Sequence, residues 1–419
     1  MIVAMPTGVA HGWGIAGQHI FEEVAQLFPV PGVTLHSMKN PDFSPTFSDA
    51  WNRINIGYCF FENDIEAYRH MGQAAAEWDY IVAGSSWCEH HLRLGGVRQT
   101  STILQGIDPV HFYPGAPRPD DGRFIVFSGG KFELRKSQDI VIAAMKVMME
   151  RHRDVWLSCA WHNQWPYSIA TMAGSRIIHF EMDTSLPCDD FLRSVVAGNG
   201  LDLNRVIMHP VIGNNSMREI YLQSDIGVFP NRCEGGNNMV MSEYMACGRT
   251  VIASDKTGHA DVITERNAFP LREYRQQLIE WGDQPSAVWF QSSVEETVEL
   301  LEFAYQNRAV LHEKAKQAAE DLGKLCWHSA AVQFHQIAVN LAGADCCPSL
   351  ADYVESAERL LKAGRMDLAI MKLKQAIRIA PAEPVLYRMV AGVLETAGRL
   401  AEAAGYRMKA DTFKQMHKE

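Results

Sequence analysis

Residues 1–340 alternate short apolar, β-type runs with amphipathic helical patterns. Such alternation is typical of successive βαβ units, which build parallel sheets covered by helices. The candidate strands lie at 2–6, 33–38, 54–61, 80–85, 101–105, 123–128, 154–160, 205–209, 226–230, 250–254 and 267–271. Helical patterns fill the intervals, and one or two long helices are expected over 310–342. The pattern therefore predicts an α/β protein.

A segment rich in Pro, Gly and Asp, GIDPVHFYPGAPRPDDG, occupies residues 106–122 and is predicted to be an interdomain linker. It separates an N-terminal Rossmann-like domain, residues 1–105, from a second Rossmann-like domain with closing helices, residues 123–345. Ligands of parallel α/β sheets bind beyond the carboxyl ends of the strands. We therefore expect two domains that face a ligand cleft.

Residues 346–419 contain an internal repeat with a period of 34 residues. The recurring pairs are Tyr353 and Tyr387, Gly364 and Gly398, Ala369 and Ala403, and Ala376 and Ala410. A 34-residue period with small residues at helix crossings resembles the tetratricopeptide repeat, and a plain helical hairpin is the alternative. Because two repeats are few for a free-standing solenoid, we expect this all-α module to dock on the rest of the chain, or to bind a protein partner or another copy.

Charge and cysteine usage limit the classes of partner and compartment. Lys and Arg total 39 against 49 Asp and Glu, which does not favour nucleic-acid binding. The sequence shows no run of 18 apolar residues and no basic, apolar secretory signal. Nine scattered cysteines, including the adjacent Cys346 and Cys347 of the expected linker, indicate a reduced protein. We expect a cytoplasmic location, or peripheral binding to the inner membrane.

The first glycine-rich segment follows the first candidate strand and reads Gly12-Trp13-Gly14-Ile15-Ala16-Gly17. A lone G-x-G-x-x-G is weak evidence, and no acidic residue ends the second strand, so a dinucleotide site is not supported. Two interpretations stay open. The segment is either a cleft loop whose backbone at Gly14 approaches a phosphate or sugar, with Trp13 on the acceptor side, or a glycine turn that packs strand against helix.

A second glycine-rich segment, Ser128 to Ser137, follows the first strand of the second domain and reads SGGKFELRKS. After Gly130 come Lys131, Arg135 and Lys136. A diphosphate at a strand end requires such cations and backbone donors. The alternative is a solvated basic loop before a helix.

A third segment, Asn231 to Gly248, reads NRCEGGNNMVMSEYMACG after a predicted strand. Asn237 or Asn238 can cap a following helix, whose N-terminal N–H groups form an anion site. Glu234 lies on the turn. Glu243 lies one to two turns into the helix, where it can accept two hydroxyls of a ribose or be a satisfied helix carboxylate.

These segments, together with ILQGIDPVHFYP at the linker, resemble the donor-binding half of glycosyltransferase family four, whose members are retaining enzymes of the GT-B fold. The resemblance implies that Lys131 and Lys136 contact the donor diphosphate. It assigns Glu234 to the donor sugar and Glu243 to the nucleotide ribose. Further donor contacts are implied or expected at Gly130, Arg135, Gly235, Gly236, Asn237, Asn238 and Met239.

The sequence departs from the family pattern in two respects. Eight residues separate Glu234 from Glu243, where the family usually has seven. The N-terminal half is short, and it has no secure match for the family's N-terminal His. On the acceptor side, Glu62 can bind an acceptor hydroxyl, assist its deprotonation, or simply cap a helix.

The resemblance implies a retaining glycosyltransferase that moves a sugar from a nucleotide-sugar donor to a glycan, lipid-linked glycan or protein acceptor. With no Asp-x-Asp motif in the sequence, neither a metal nor another cofactor is expected. The alternatives are a non-catalytic scaffold on the same fold and a sugar-nucleotide epimerase or phosphorylase.

Overall fold

The computed structural model describes residues 1–9, 11–163, 166–343 and 348–416. The N-terminal domain contains a parallel sheet with the strand order β1-β2-β3-β4-β5. Its strands are β1 (Ile2–Ala4), β2 (Val33–Ser37), β3 (Ile54–Cys59), β4 (Tyr80–Ala83) and β5 (Thr100–Thr102). Most of the residues in β2, β3 and β4 are buried, as expected for strands covered by helices on both faces. The strands predicted for this half are confirmed.

The C-terminal domain contains a second parallel sheet, with the order β11-β10-β9-β6-β7-β8. Its strands are β6 (Phe124–Gly130), β7 (Val155–Trp161), β8 (Val206–Met208), β9 (Ile226–Phe229), β10 (Val251–Ser254) and β11 (Phe269–Leu271). These strands confirm the predicted ones. The order reverses beside β6, which lies between β7 and β9. Such a switch point leaves a crevice beyond the strand ends, where ligands of open α/β sheets bind.

Helices connect the strands and close the two domains. They are α1 (Gly12–Gln26), α2 (Asp64–Glu77), α3 (Ser86–Leu94), α4 (Gln138–Arg151), α5 (Pro166–Ala170), α6 (Cys188–Gly198), α7 (Met217–Tyr221), α8 (Met239–Ala246), α9 (Val294–Gln306), α10 (Arg308–Leu322) and α11 (Trp327–Ala342). Several helices are N-capped by a side chain. His11 accepts from the Gly14 N–H at the start of α1, and Ser293 accepts from the Glu296 N–H at the start of α9. The expected long helical segment at 310–342 is therefore divided between α10 and α11.

The last of these helices returns to the N-terminal domain. Trp327 and Phe334 of α11 are buried with Ile20 and Leu35 in the N-terminal core. The chain passes from the first domain to the second after β5 and returns between α10 and α11. These two connecting segments lie next to each other, and the Ile107 N–H of one donates to the Leu325 carbonyl of the other at 2.7 Å. We expected the closing helices to complete the second domain, and α11 instead completes the first.

An antiparallel hairpin that the sequence analysis missed follows β11. It consists of β12 (Tyr274–Trp281) and β13 (Gln284–Ser292). The hairpin reaches α2 of the other domain, where the Val288 N–H donates to Asp64 Oδ1 at 3.0 Å. The Ser286 hydroxyl donates to Glu66 Oε2 at 2.9 Å. This hairpin therefore joins the two domains beside the cleft.

The C-terminal segment folds into the helical hairpins α12 (Leu350–Lys362) with α13 (Met366–Ile379), and α14 (Pro384–Thr396) with α15 (Leu400–Met416). Corresponding helices begin 34 residues apart, at 350 and 384 and at 366 and 400. The module docks on α1, since Lys372 Nζ donates to the Leu27 carbonyl and Arg365 pairs with Glu22. Its tetratricopeptide nature stays a prediction. The expected domain boundary and Cys346 and Cys347 lie outside the described residues.

The carboxyl ends of the two sheets meet at the interface between the domains. The turn after β9 contacts the residues after β3, because Gly235 lies against the backbone of Phe61. The segment after β10 contacts the residues after β4, where the Ser86 N–H donates to Asp261 Oδ2 at 2.7 Å. The segments expected to carry function are therefore brought to one interdomain region.

Candidate functional site

The basic segment after β6 folds back over the strand end. Gly130 has φ +111°, a conformation that residues with a side chain rarely adopt, and it lies beside the Lys136 side chain. A short 3₁₀ turn then carries Arg135 and Lys136, and α4 begins at Gln138. The side chain of Lys131 is 39% exposed and its Nζ lies 3.7 Å from Glu133. The structure thus places the three predicted cations on one turn at the cleft.

Glu234 meets these cations from the neighbouring strand end. Its Oε1 lies 2.6 Å from Lys136 Nζ and its Oε2 lies 3.1 Å from Arg135 Nη1. The Asn231 amide also donates to Oε1. Burial alone would raise the pKa of Glu234, but Lys136 and Arg135 outweigh it and hold that pKa well below its usual range. Glu234 is therefore a buried carboxylate that stays ionised.

Arg135 is shared among carboxylates rather than directed toward open space. Its Nη2 lies 2.7 Å from Glu133 Oε1, and its Nη1 lies 3.3 Å from Glu62 Oε1 of the other domain. Nη1 also donates to the Cys233 carbonyl at 3.0 Å. Burial would lower the pKa of Arg135, yet Glu62 and Glu234 raise it. Arg135, which we expected to contact the sugar donor, therefore also holds the carboxylates of Glu62, Glu133 and Glu234 close together.

Gly235 and Gly236 face the N-terminal domain. A Cβ atom on Gly235 would lie 2.8 Å from the backbone N and O of Phe61. One on Gly236 would lie 2.8 Å from the Phe60 ring. Both distances are shorter than a real Cβ contact, so glycine is required at these positions for the domains to approach. Sequence reasoning had related these glycines to the donor and had missed their packing role.

The two asparagines of the turn have different roles. The Asn237 side chain bridges to the Gln105 backbone, accepting from its N–H and donating to its carbonyl at 3.1 Å each. Asn238, with φ +55°, is the N-cap of α8, and its side chain accepts from the Met241 N–H. The Asn238 amide lies 3.1 Å from His259 Nε2. The helix-capping prediction is therefore confirmed for Asn238, and Asn237 links the domains.

The N-terminus of α8 lies against the N-terminus of α1 at the interface between the domains. A Cβ on Gly12 would lie 3.9 Å from the sulfur of Met239. Met239 is partly buried against the N-terminal core, and Trp13 packs edge-on at 5.0 Å from the Phe60 ring. The predicted residues Trp13 and Met239 therefore come from different domains and pack at the same part of their interface.

The interpretation of Gly12–Gly17 as a loop is wrong, because this segment forms the first turns of α1. The Gly14 N–H donates to His11 Nδ1 at 3.0 Å, so a ligand phosphate would have to displace this cap. A Cβ on Gly17 would lie 2.0 Å from the Pro6 carbonyl oxygen. The segment thus follows the other interpretation, in which glycines pack the helix closely against the strand.

Glu243 lies within α8, on its buried side, and is 3% exposed. Both of its oxygens accept from the Asn214 amide, at 2.9 and 3.1 Å, and Oε2 also accepts from the Tyr221 hydroxyl at 3.1 Å. Burial raises the pKa of Glu243 to about 8, against the lowering effect of the hydrogen bonds from these two residues. A ribose at Glu243 would therefore share or replace the Asn214 contact.

Sequence reasoning missed several partners of the two motif glutamates. Asn214 and Tyr221 lie 29 and 22 residues before Glu243, so no local pattern relates them to it. His259 supports the Asn238 cap, and burial lowers its pKa to about 4, which leaves the imidazole neutral. The sequence signal for His259 was its place five residues after the end of β10 (Val251–Ser254), near the other strand ends.

Two negative findings concern the described part of the chain. Within these residues, no three side chains of His, Cys, Asp or Glu converge in a way that could hold a metal ion. None of the helices described there combines the length and apolar character needed to cross a membrane.

Comparisons with known proteins agree with this architecture. Residues 186–287, which include both motif glutamates, match the sequence family described as glycosyl transferases group 1. The structure is similar to sucrose-phosphate synthase from Thermosynechococcus elongatus, with a TM-score of 0.56 and 17% identity over 74% of this chain and 73% of that one. The chain has the GT-B fold. A search of curated proteins found no significant match.

Two further GT-B neighbours have similar coverage. A glycosyltransferase from Rickettsia africae has a TM-score of 0.53 and 12% identity over 75% of this chain and 77% of that one. Anabaena HepE, in a complex with UDP and glucose, has a TM-score of 0.50 and 14% identity over 70% of this chain and 72% of that one. Together with the group 1 match, these neighbours support a glycosyltransferase at the level of the general class.

Proposed function

We propose that this chain is a metal-independent, retaining glycosyltransferase related to family four, with its nucleotide-sugar donor in the C-terminal domain. The observation that carries this proposal is the meeting of two segments beside the switch point. Lys136 after β6 and Glu234 after β9 lie 2.6 Å apart, next to the N-terminus of α8. Strand-end cations and a helix N-terminus are the groups that bind a diphosphate.

The chemistry follows from where charge develops. The diphosphate gains negative charge as the bond to the donor sugar breaks. Lys131, Lys136 and the N–H groups at the start of α8 would stabilise that charge more strongly in the transition state than in the ground state. In this scheme the acceptor hydroxyl attacks from the leaving-group face and gives its proton to a diphosphate oxygen, so no protein nucleophile is needed.

The remaining motif residues have supporting roles in this proposal. Glu234, kept ionised by its cations, would orient a sugar hydroxyl or the Lys136 ammonium. Glu243 would contact the ribose, in place of Asn214. Closure of the two domains over the donor would exclude water, which competes with the acceptor.

The acceptor is proposed to be a glycan, a lipid-linked glycan or a protein. Trp13 and Glu62, on the N-terminal wall, are the residues we propose for its side of the cleft. The module at 346–419 is proposed to be tetratricopeptide-like and to bind a protein partner or a second copy. We also propose a cytoplasmic location, free or at the inner membrane surface.

A panel of nucleoside diphosphates tests the donor site. UDP is the first probe, because the similar HepE structure contains UDP. A nucleotide at 100 times its dissociation constant should stabilise the protein by about 2.7 kcal/mol. With the matching nucleotide sugar, free nucleoside diphosphate should then accumulate much faster when an acceptor is present. If no nucleotide stabilises the protein, and a partner binds through the C-terminal module, the chain is a scaffold.

Retention of configuration and independence of metal ions are tested separately. NMR of the first product formed should show the anomeric configuration of the donor, and the opposite configuration would exclude retention. EDTA should leave turnover unchanged. A rate that chelation abolishes and Mn²⁺ or Mg²⁺ restores would contradict metal independence and make Glu181 and Asp183 candidate ligands.

A further inference from the structure

Glu62 of the N-terminal domain reaches into the cation cluster of the C-terminal domain. It follows β3 and lies just before α2. Its Oε1 is 3.3 Å from Arg135 Nη1, and the same nitrogen is 3.1 Å from Glu234 Oε2. One guanidinium nitrogen therefore lies between a carboxylate from each domain.

The backbone of Glu62 is also held by the C-terminal domain. The Trp289 indole N–H donates to the Glu62 carbonyl at 2.6 Å. Trp289 is 3% exposed and belongs to β13 of the interdomain hairpin. Because Arg135, Trp289 and Glu234 all belong to the C-terminal domain, the position of Glu62 in the cluster exists only when the domains are closed.

We propose that Glu62 is a positioning residue that, acting through Arg135, fixes the orientation of Glu234 when the two domains close. When the domains separate, Arg135 keeps Glu133 at Nη2 and Glu234 at Nη1 but loses the second carboxylate at Nη1, that of Glu62. The guanidinium can then shift toward the two remaining carboxylates, and Glu234 shifts with it. This role rests on the proposed function only where it concerns turnover.

The first arm of the test requires no ligand. Hydrogen exchange is compared in wild-type protein, Glu62→Gln and Glu66→Gln. Glu66 is a matched control, because it also bonds across the interface, to Ser286, whereas the carboxylates at Arg135 are those of Glu62, Glu133 and Glu234. We expect Glu62→Gln to increase exchange in the 231–236 turn by several-fold and Glu66→Gln to leave that turn unchanged. Equal exchange in all three proteins would overturn the proposal, whatever the chain catalyses.

The second arm separates positioning from donor binding. In Glu62→Gln we expect kcat to fall about 5- to 50-fold while the Kd for the free nucleoside diphosphate stays within about twofold. Trp289→Phe, which removes the indole donor and keeps an aromatic ring, should lower kcat in the same direction by less. An unchanged kcat in Glu62→Gln, or a Kd that rises as much as kcat falls, would contradict the positioning role.

A double-mutant cycle tests whether Glu62 acts on Glu234 through Arg135. Arg135→Lys retains a cation in a buried site, so this variant should fold where a neutral one fails. The kcat losses of Glu62→Gln and Arg135→Lys should be strongly non-additive, and additive losses would show that Glu62 acts elsewhere. If wild-type protein shows no nucleotide binding or turnover, the proposed function fails. The hydrogen-exchange experiment still shows whether Glu62 holds the 231–236 turn, which contains Glu234, in place.

Discussion

Two buried glutamates on one segment have opposite electrostatic environments. Glu234 and Glu243 are 5% and 3% exposed and nine positions apart. Lys136 and Arg135 hold the pKa of Glu234 well below its usual range. The side chains that bond to Glu243, Asn214 and Tyr221, are neutral donors, and burial, with a smaller contribution from the charge of Asp108, raises its pKa to about 8. Because the two glutamates are equally buried, the difference comes from the cations, which outweigh the effect of burial at Glu234 and are not bonded to Glu243.

The comparison also separates two kinds of ligand contact. An ionised Glu234 between two cations can respond to the charge of a diphosphate. A protonated Glu243 presents a neutral group, which suits ribose hydroxyls that do not change charge during the reaction. We therefore expect substitutions near Glu234 to affect kcat, and substitutions at Glu243 to affect mainly binding.

The largest expected effect is the pH dependence of Glu243. Its folded-state pKa of about 8 lies above the ordinary glutamate value of 4.5, so the native state keeps a proton that the unfolded state loses. The contribution to stability is complete below about pH 4.5 and is lost as the pH rises to about 8. At about 1.4 kcal/mol per pKa unit, this amounts to roughly 5 kcal/mol.

Urea unfolding of wild-type protein and Glu243→Gln between pH 5 and 8.5 measures this effect. The glutamine variant, which cannot ionise, should lose this part of the pH dependence. Glu234→Gln is the matched comparison: it should lose stability at neutral pH, because it leaves Lys136 and Arg135 without a full counter-charge. Parallel pH profiles for wild-type protein and Glu243→Gln would contradict the difference between the two sites.

The next largest effect is expected for Lys136→Met, which removes the cation 2.6 Å from Glu234. Glu234 would then keep only Arg135 as a counter-charge. The loss of unfolding free energy should therefore approach about 3 to 5 kcal/mol, which is the cost of a buried charge without any partner. Chemical denaturation at pH 7 should show this loss, together with a fall of turnover beyond 100-fold. A variant as stable and active as wild type would show that Lys136 neither pairs with Glu234 in solution nor takes part in turnover.

A smaller effect is expected for Lys131→Ala. Its side chain is 39% exposed, so the change should leave stability and circular dichroism near wild type. If Lys131 contacts the diphosphate, a charge-assisted hydrogen bond worth about 1.5 to 3 kcal/mol is lost. Steady-state kinetics should then show turnover reduced about 10- to 150-fold, with kcat as well as KM affected. A change in KM alone would place Lys131 away from the leaving group.

The smallest effect is expected at the start of α8. Asn238→Ala removes the N-cap and places an alanine at φ +55°, which should cost about 1 to 2 kcal/mol. Asn238→Gly tolerates that φ and should cost only a few tenths. Thermal unfolding of the two variants measures the difference. Equal losses would mean that the His259 contact, rather than the cap and its φ, makes Asn238 important.

Much of the fold could be predicted from local patterns. The strand positions were predictable because buried parallel strands are short apolar runs between turn residues. The hairpin at 274–292 was missed because its strand Tyr274–Trp281 is mostly exposed and polar, and therefore lacks the apolar signal. The return of α11 to the first domain depends on packing with Ile20 and Leu35, which sequence spacing does not show.

The site was predictable only in part. The cations and Glu234 could be brought together from sequence because strand ends of one sheet share an edge. Partners from distant segments could not be predicted, although they influence the pKa values of the site residues. These partners are Glu62 at Arg135, and Asn214 and Tyr221 at Glu243. The packing of Gly235 on Phe61 likewise depends on how the two domains meet.

The central claim is that the donor binds at the Lys131–Lys136 turn and the segment from Glu234 to Glu243. Titration calorimetry with UDP, or with the diphosphate that the panel selects, tests it most directly. Lys131→Ala and Glu243→Ala should each raise the Kd, by about tenfold or more for Lys131→Ala. The control Lys324→Ala, whose side chain is 77% exposed, should bind as wild type. Equal affinity in all four proteins would contradict a donor site here.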